Sequence, residues 1–233
     1  WGWSLPVAGG LVGLFLLIEI GYLGANLVKI THGGWFPLVV AAAIFAVMTT
    51  WRKGRQLLQE HLRERTLPVD LLVEELGRAG TVRVPGTAIV MTREADGVPP
   101  VLLHHFKHNK VLHEQVVLLS ILSEEIPVVT DEQRANLEVL GAGLFRIVAR
   151  YGFMETPNVP DLLESCRCDA LSFREMETTY ILGRESLLVT GRGGMARWRK
   201  RLFAILARNA NSATAFYCIP PNRVVELGAQ VVL

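Results

Sequence analysis

The chain has few cysteines, almost no net charge, and a first quarter nearly free of charged side chains. Its three cysteines, Cys166, Cys168 and Cys218, do not pair off evenly, which argues against a disulfide framework. Cys166-Arg167-Cys168 is also too short for a CxxC redox or zinc-knuckle spacing. A formal net charge of +2 over 233 residues provides no strong basic field, so no nucleic-acid partner is expected. There is no internal repeat and no low-complexity segment. HExxH, GxGxxG and GxxxxGKS/T are missing, as is any nucleophile–base–acid set, so neither an enzyme nor a resident cofactor or metal is expected. The chain opens on Trp1-Gly2-Trp3 with no initiator Met, no basic n-region and no small-residue cleavage site, unlike a secretory signal.

The scarcity of charge is concentrated in two long apolar runs. Leu5 to Val28 holds one charged residue, Glu19, and Gly33 to Thr50 holds none. Runs of about 18 or more apolar residues predict membrane-spanning helices, since a helix satisfies its own backbone across ~30 Å of hydrocarbon. The fold class expected is a membrane α-helical hairpin, with spans at about 5–28 and 33–51, followed by a cytoplasmic α/β domain. The connector Lys29-Ile30-Thr31-His32 is tight, so the pair is expected to be the last hairpin of a larger bundle. Arg52, Lys53 and Arg55 follow the second run directly, which places residues 52 onward in the cytoplasm and the connector outside.

Glu19 is the one candidate site residue in the membrane. At 1.5 Å per residue it lies about 20 Å from Leu5, too deep for a short carboxylate to reach water. It serves either as a proton or cation relay or as a hydrogen-bonding group toward a neighbouring helix. Gly9-xxx-Gly13 in the same run is a small-xxx-small pattern that favours close packing against other spans.

Residues 52–65 read as an amphipathic linker helix leaving the membrane, and residues 66–233 as a cytoplasmic α/β regulatory domain. Helices are predicted at Val69–Leu76, Val101–Asn109, Asn158–Cys166 and Met195–Asn209. Strands are predicted at Thr87–Met91, Val116–Leu122, Ala135–Leu140, Leu144–Ala149, Thr179–Leu182 and Ser186–Val189, with a turn at Asp96-Gly97. Two clusters invite chemistry. His104, His105, His108 and His113 fall within ten residues, and His104 and His108 share a helix face at i,i+4, but a metal site needs three or four ligands. Thr190-Gly191-Arg192-Gly193-Gly194 links a strand to a basic amphipathic helix and reads first as a connector, second as a weak phosphate cradle. That helix suits either the anionic inner leaflet or simply the outer face of the domain.

Several stretches carry a family resemblance in family order. They are Lys29-Ile30-Thr31-His32-Gly33-Gly34-Trp35-Phe36-Pro37-Leu38, Gly86-Thr87-Ala88-Ile89, Val98-Pro99-Pro100, and His108-Asn109-Lys110-Val111-Leu112-His113-Glu114. Arg150-Tyr151-Gly152-Phe153-Met154-Glu155-Thr156-Pro157 and Ile219-Pro220-Pro221-Asn222-Arg223-Val224-Val225-Glu226-Leu227-Gly228 complete the set. Over essentially its whole length the chain resembles the carboxy-terminal part of bacterial Kup-type potassium uptake transporters of the KUP/HAK/KT family. The resemblance implies an inner-membrane, multi-pass secondary transporter that takes up K⁺ with H⁺. It also implies a missing amino-terminal core that holds the ion site, and a soluble domain that regulates transport and supports a homodimer. It carries no ion-site residue onto this chain. The alternatives are a membrane-anchored α/β sensor that binds a nucleotide or protein partner, and a tethered enzyme.

Overall fold

The computed structural model describes residues 3–63, 66–78, 81–92, 97–166, 171, 173–189 and 194–232. Its internal contacts divide the chain into two units, Trp1–Arg52 and Lys53–Leu233.

The first unit is apolar helix. Helix α1 (Leu5–Lys29) begins with Pro6, whose missing N–H costs nothing in the first turn. Helix α2 (Trp35–Arg63) starts the second apolar run and continues into the second unit. Between them, His32 (φ −104°, ψ 29°) and Gly33 (φ 111°) leave helical geometry. The sequence reading makes 5–28 and 33–51 a hairpin. The structure gives helix over both runs, from Leu5 to Arg63, with the departure from helical geometry at these two residues between them. Helix α1 buries no residue, and Leu5, Phe15, Leu17, Tyr22, Phe36, Phe45 and Met48 are all more than half exposed. An isolated apolar helix of this kind requires a non-aqueous environment or other helices around it.

The second unit is a six-stranded sheet. It contains α3 (Val69–Arg78), β1 (Val82–Thr92), α4 (Pro100–Asn109), β2 (Val111–Glu124), the single turn α5 (Asp131–Arg134), β3 (Ala135–Gly141) and β4 (Leu144–Gly152). There follow α6 (Val159–Ser165), β5 (Thr178–Leu188), α7 (Arg197–Arg208), α8 (Ala213–Phe216) and β6 (Val224–Val232). Strand order is β3-β4-β2-β1-β5-β6, parallel except for β3 against β4. Parallel strands need both faces covered, and the central strands accordingly read as continuous apolar runs. Val116 to Ser120 in β2 is buried without a break. Alternate residues of that run serve opposite cores, as the two-residue strand period requires. Val117 and Leu119 join Ile89, Ile147 and Tyr180 beneath Val159, Leu162 and Leu163 of α6. Val116 and Leu118 join Ala88, Val90 and Ile181 beneath Leu72 and Leu76 of α3 and Leu102 of α4.

Three sequence readings change here. Thr179–Leu182 and Ser186–Val189 are one strand, β5, because Gly183-Arg184-Glu185 stays extended in register with Leu227-Gly228-Ala229 of β6. Hydrophobic patterning does not mark β6, which the structure forms over Val224–Val232. Strand β1 starts five residues earlier than its apolar run, with a register shift between Val84 and Thr87, across Pro85. The Asp96-Gly97 turn falls partly outside the described residues.

Candidate functional site

Glu19 sits on α1 with Tyr22, Asn26 and Lys29 at i+3, i+7 and i+10, so the four share one face. The Asn26 amide donates to the Tyr22 carbonyl (2.9 Å), and Lys29 Nζ donates to Asn26 Oδ1 (3.4 Å). Glu19 is exposed, in a shallow recess lined by Leu16, Ile20, Tyr22, Leu23 and Asn26 of the same helix. The residue that looked isolated in sequence is thus one end of a polar stripe on an apolar helix. The i, i+3, i+7 spacing was the signal for it.

The histidines separate into two pairs. His104 and His108 lie with their ring centres 5.9 Å apart and tilted by 40° on α4, and His105 meets His113 of β2 at 6.5 Å between ring centres. His105 Nδ1 pairs with the Asn109 amide at 3.0 Å, while His105 Nε2 and His113 Nδ1 are buried without a hydrogen-bond partner. Burial lowers the pKa of both rings, and their mutual repulsion lowers that of His113 further. Among the described residues no group of three or more His, Cys, Asp or Glu converges as a metal site would. Cys166 is partly buried and Cys218 exposed, while Cys168 and residues 190–193 of the glycine-rich connector lie outside the described residues.

In open parallel sheets, ligands bind outside the carboxyl ends of strands where the strand order reverses. Here that point lies between β1 and β5, and α4 packs over it, with Val101 set against Gly183. The neighbouring carboxyl ends of β2 and β4 are clamped by Glu155. One of its oxygens accepts from the backbone N–H of Gly152 (2.7 Å) and Val129 (3.0 Å), and the other meets Arg134 at 2.9 Å. Arg134 in turn donates to the Val129 carbonyl, pairs with Asp131, and lies over the Tyr151 ring. These backbone donors, Val129 first, and the guanidinium push the Glu155 carboxyl down to about 2. Gly152 is required because a Cβ there would run into the Pro127 carbonyl. The Arg150–Pro157 motif is therefore a structural clamp. At the amino ends of the strands, Gly86, Thr87, Glu114, Gln115, Gly143, Arg174 and Glu177 line an open polar recess that sequence reading missed. Its residues come from four separated segments and share no local motif.

The last assembly lies where α2 enters the second unit. Gly54 and Leu58 of α2 are buried on one face at i,i+4. A Cβ on Gly54 would collide with the ring of Phe203 on α7, and Gly194, ahead of α7, leaves room for Leu57. Residues 53–63 thus form a stem on which α7 is seated.

A helical segment long and apolar enough to cross a membrane, joined to a mostly parallel sheet covered by helices, has the makeup of a membrane protein with an α/β appendage. The model described as "K+ potassium transporter integral membrane domain" matches residues 1–56, and that described as "K+ potassium transporter C-terminal domain" matches residues 85–233. The chain belongs to this potassium transporter family. It is 56% identical over 233 residues to "Probable potassium transport system protein Kup" of Myxococcus xanthus (strain DK1622), covering 100% of this chain and 36% of that protein. Proteins of the same name from Anaeromyxobacter sp. (strain Fw109-5) and Bdellovibrio bacteriovorus are 53% and 46% identical, over 100% and 99% of this chain and 36% and 35% of their own lengths. The chain therefore spans about a third of the length of the curated relatives it matches. These relatives are named as transporters, a class that is not enzymatic. No solved structure matches.

Proposed function

We propose that this chain is the carboxy-terminal part of a secondary transporter that takes up K⁺, with H⁺ as the coupled ion. One observation carries the reading. Matches to the membrane and carboxy-terminal domains of one family occur in order along a single chain, at residues 1–56 and 85–233. Two spans cannot enclose a dehydrated cation, which needs oxygens from several helices around a midplane site. The ion site is therefore assigned to the part of the polypeptide represented in the other two thirds of the relatives' length. In this reading residues 5–28 and 33–51 cross the bilayer in opposite directions, with Lys29–His32 outside. Arg52, Lys53 and Arg55 hold the second unit in the cytoplasm.

Residues 52–65 act as the linker, and the α/β domain of residues 66–233 regulates the bundle through the stem. The protein performs no catalysis and carries no cofactor; its partners are the bilayer, the membrane core and a second copy. The Glu19 stripe faces neighbouring helices of that core, as a structural hydrogen-bonding seam. The test is potassium uptake by the polypeptide that contains this chain, expressed in cells lacking their own uptake systems. Growth at limiting K⁺ supports the reading, and membrane insertion without growth rejects it.

A further inference from the structure

Helix α7 has an exposed arc that the transporter reading leaves unused. Arg197, Trp198, Arg201, Ile205 and Arg208 are all exposed, while Lys200, Phe203 and Ala204 are buried on the other side. At 100° per residue the exposed five fall within an arc of about 100°. The three arginines occupy one edge of the arc, and Ile205 and Trp198 the other. Trp198 and Ile205 are 58% and 57% exposed, although both are large and apolar.

Charge singles out the same region. From Ser186 to Val225 the sequence contains seven Lys and Arg residues and no Asp or Glu, whereas the rest of the chain has five more acids than bases. The segment that contains α7 is therefore the basic part of the unit's sequence. This arc lies opposite Phe203, which packs on Gly54 of the stem, so it faces away from the stem. Long arginines that reach phosphates, beside a Trp and an Ile at the interface, are the composition of an interfacial helix.

We infer that the exposed face of α7 docks on the anionic headgroups of the bilayer that the apolar segments span. The inference rests on the membrane reading of residues 5–51. Docking would hold α7 against the stem, and the membrane's surface charge would act on the α/β unit through it.

The experiment uses the whole chain in nanodiscs of phosphatidylcholine alone and of phosphatidylcholine with 30% phosphatidylglycerol. Hydrogen exchange is followed over residues 197–208, at low and high salt. Protection of α7 that appears with the anionic lipid and is lost in high salt supports docking. Each Arg→Gln change at Arg197, Arg201 or Arg208 is expected to lower the docked-to-undocked ratio about fivefold, with circular dichroism unchanged. Equal protection in both lipid compositions, unchanged by salt, overturns docking on anionic headgroups. No protection in either overturns it as well, while leaving the membrane reading intact. A chain that stays out of the nanodiscs altogether overturns both.

Discussion

The two units carry their apolar residues in opposite ways. In α1, Leu17 is 72% exposed and Ile18 58% exposed; in β2, Leu118 and Leu119 are 1% and 0% exposed. The same side chains form a core in one unit and a solvent-facing coat in the other. The second unit has supplied its own partners, with helices on both faces of the sheet. Among the described residues of the first unit, α1 buries none, and an apolar helix of that kind needs lipid or other helices around it. An α/β domain is thus a self-contained object, while a pair of spans is a surface in search of a bundle.

The comparison can be broken most forcefully at the core. Leu118→Ala or Leu119→Ala should cost about 2–5 kcal/mol of the second unit's stability. Leu17→Ala should leave that unit's stability within about 0.5 kcal/mol. Thermal unfolding in detergent, followed by near-ultraviolet circular dichroism, checks both. Equal losses would mean that the two units do not bury their leucines differently. A smaller effect is expected at the junction. Gly54→Val places a side chain where the Phe203 ring lies and should cost about 1–3 kcal/mol. Faster hydrogen exchange in α7, with the sheet unaffected, is the expected signature.

Acid should act on the second unit in two steps. Burial lowers the pKa of the His105–His113 pair, so the folded state resists the protonation that the unfolded chain accepts. Stability therefore falls as pH drops below about 6.5, and His113→Gln should flatten that limb. Glu155 behaves like other depressed carboxylates. Its contribution is complete above about 4.5 and is lost as pH falls toward about 2. Glu155→Gln should remove the dependence in that window and lower the melting temperature at neutral pH. A pH titration of the melting temperature for the parent and both variants checks these signs. The smallest effect is expected at Glu19, where Glu19→Gln should not move the melting temperature of the second unit at all.

Legibility in the sequence follows the same division. Hydropathy locates the apolar runs because charge is expelled from them, and Gly33 marks the break between them. The central strands were legible too, since burial on both faces makes β2 a run of Val and Leu. β6 was not, because its Glu226, Gly228 and Gln230 interrupt the pattern of an edge strand that one face leaves partly exposed. The Glu155 clamp was legible only as a family motif. Its partners Val129 and Arg134 lie more than twenty residues away and meet it only once β2 and β4 pair. The seat of α7 on Gly54 joins positions about 150 apart and has no local signature. Glu19 was visible at once, but its stripe with Tyr22 and Asn26 becomes apparent only on a helix.

In the proposed function, the second unit acts on a potassium-transporting bundle through the stem. Rubidium uptake by the complete polypeptide tests it most directly, with three glycines inserted after Arg55 to uncouple the stem from the span above it. Altered uptake kinetics are expected at an unchanged amount of protein in the membrane. Uptake with unchanged kinetics would contradict it.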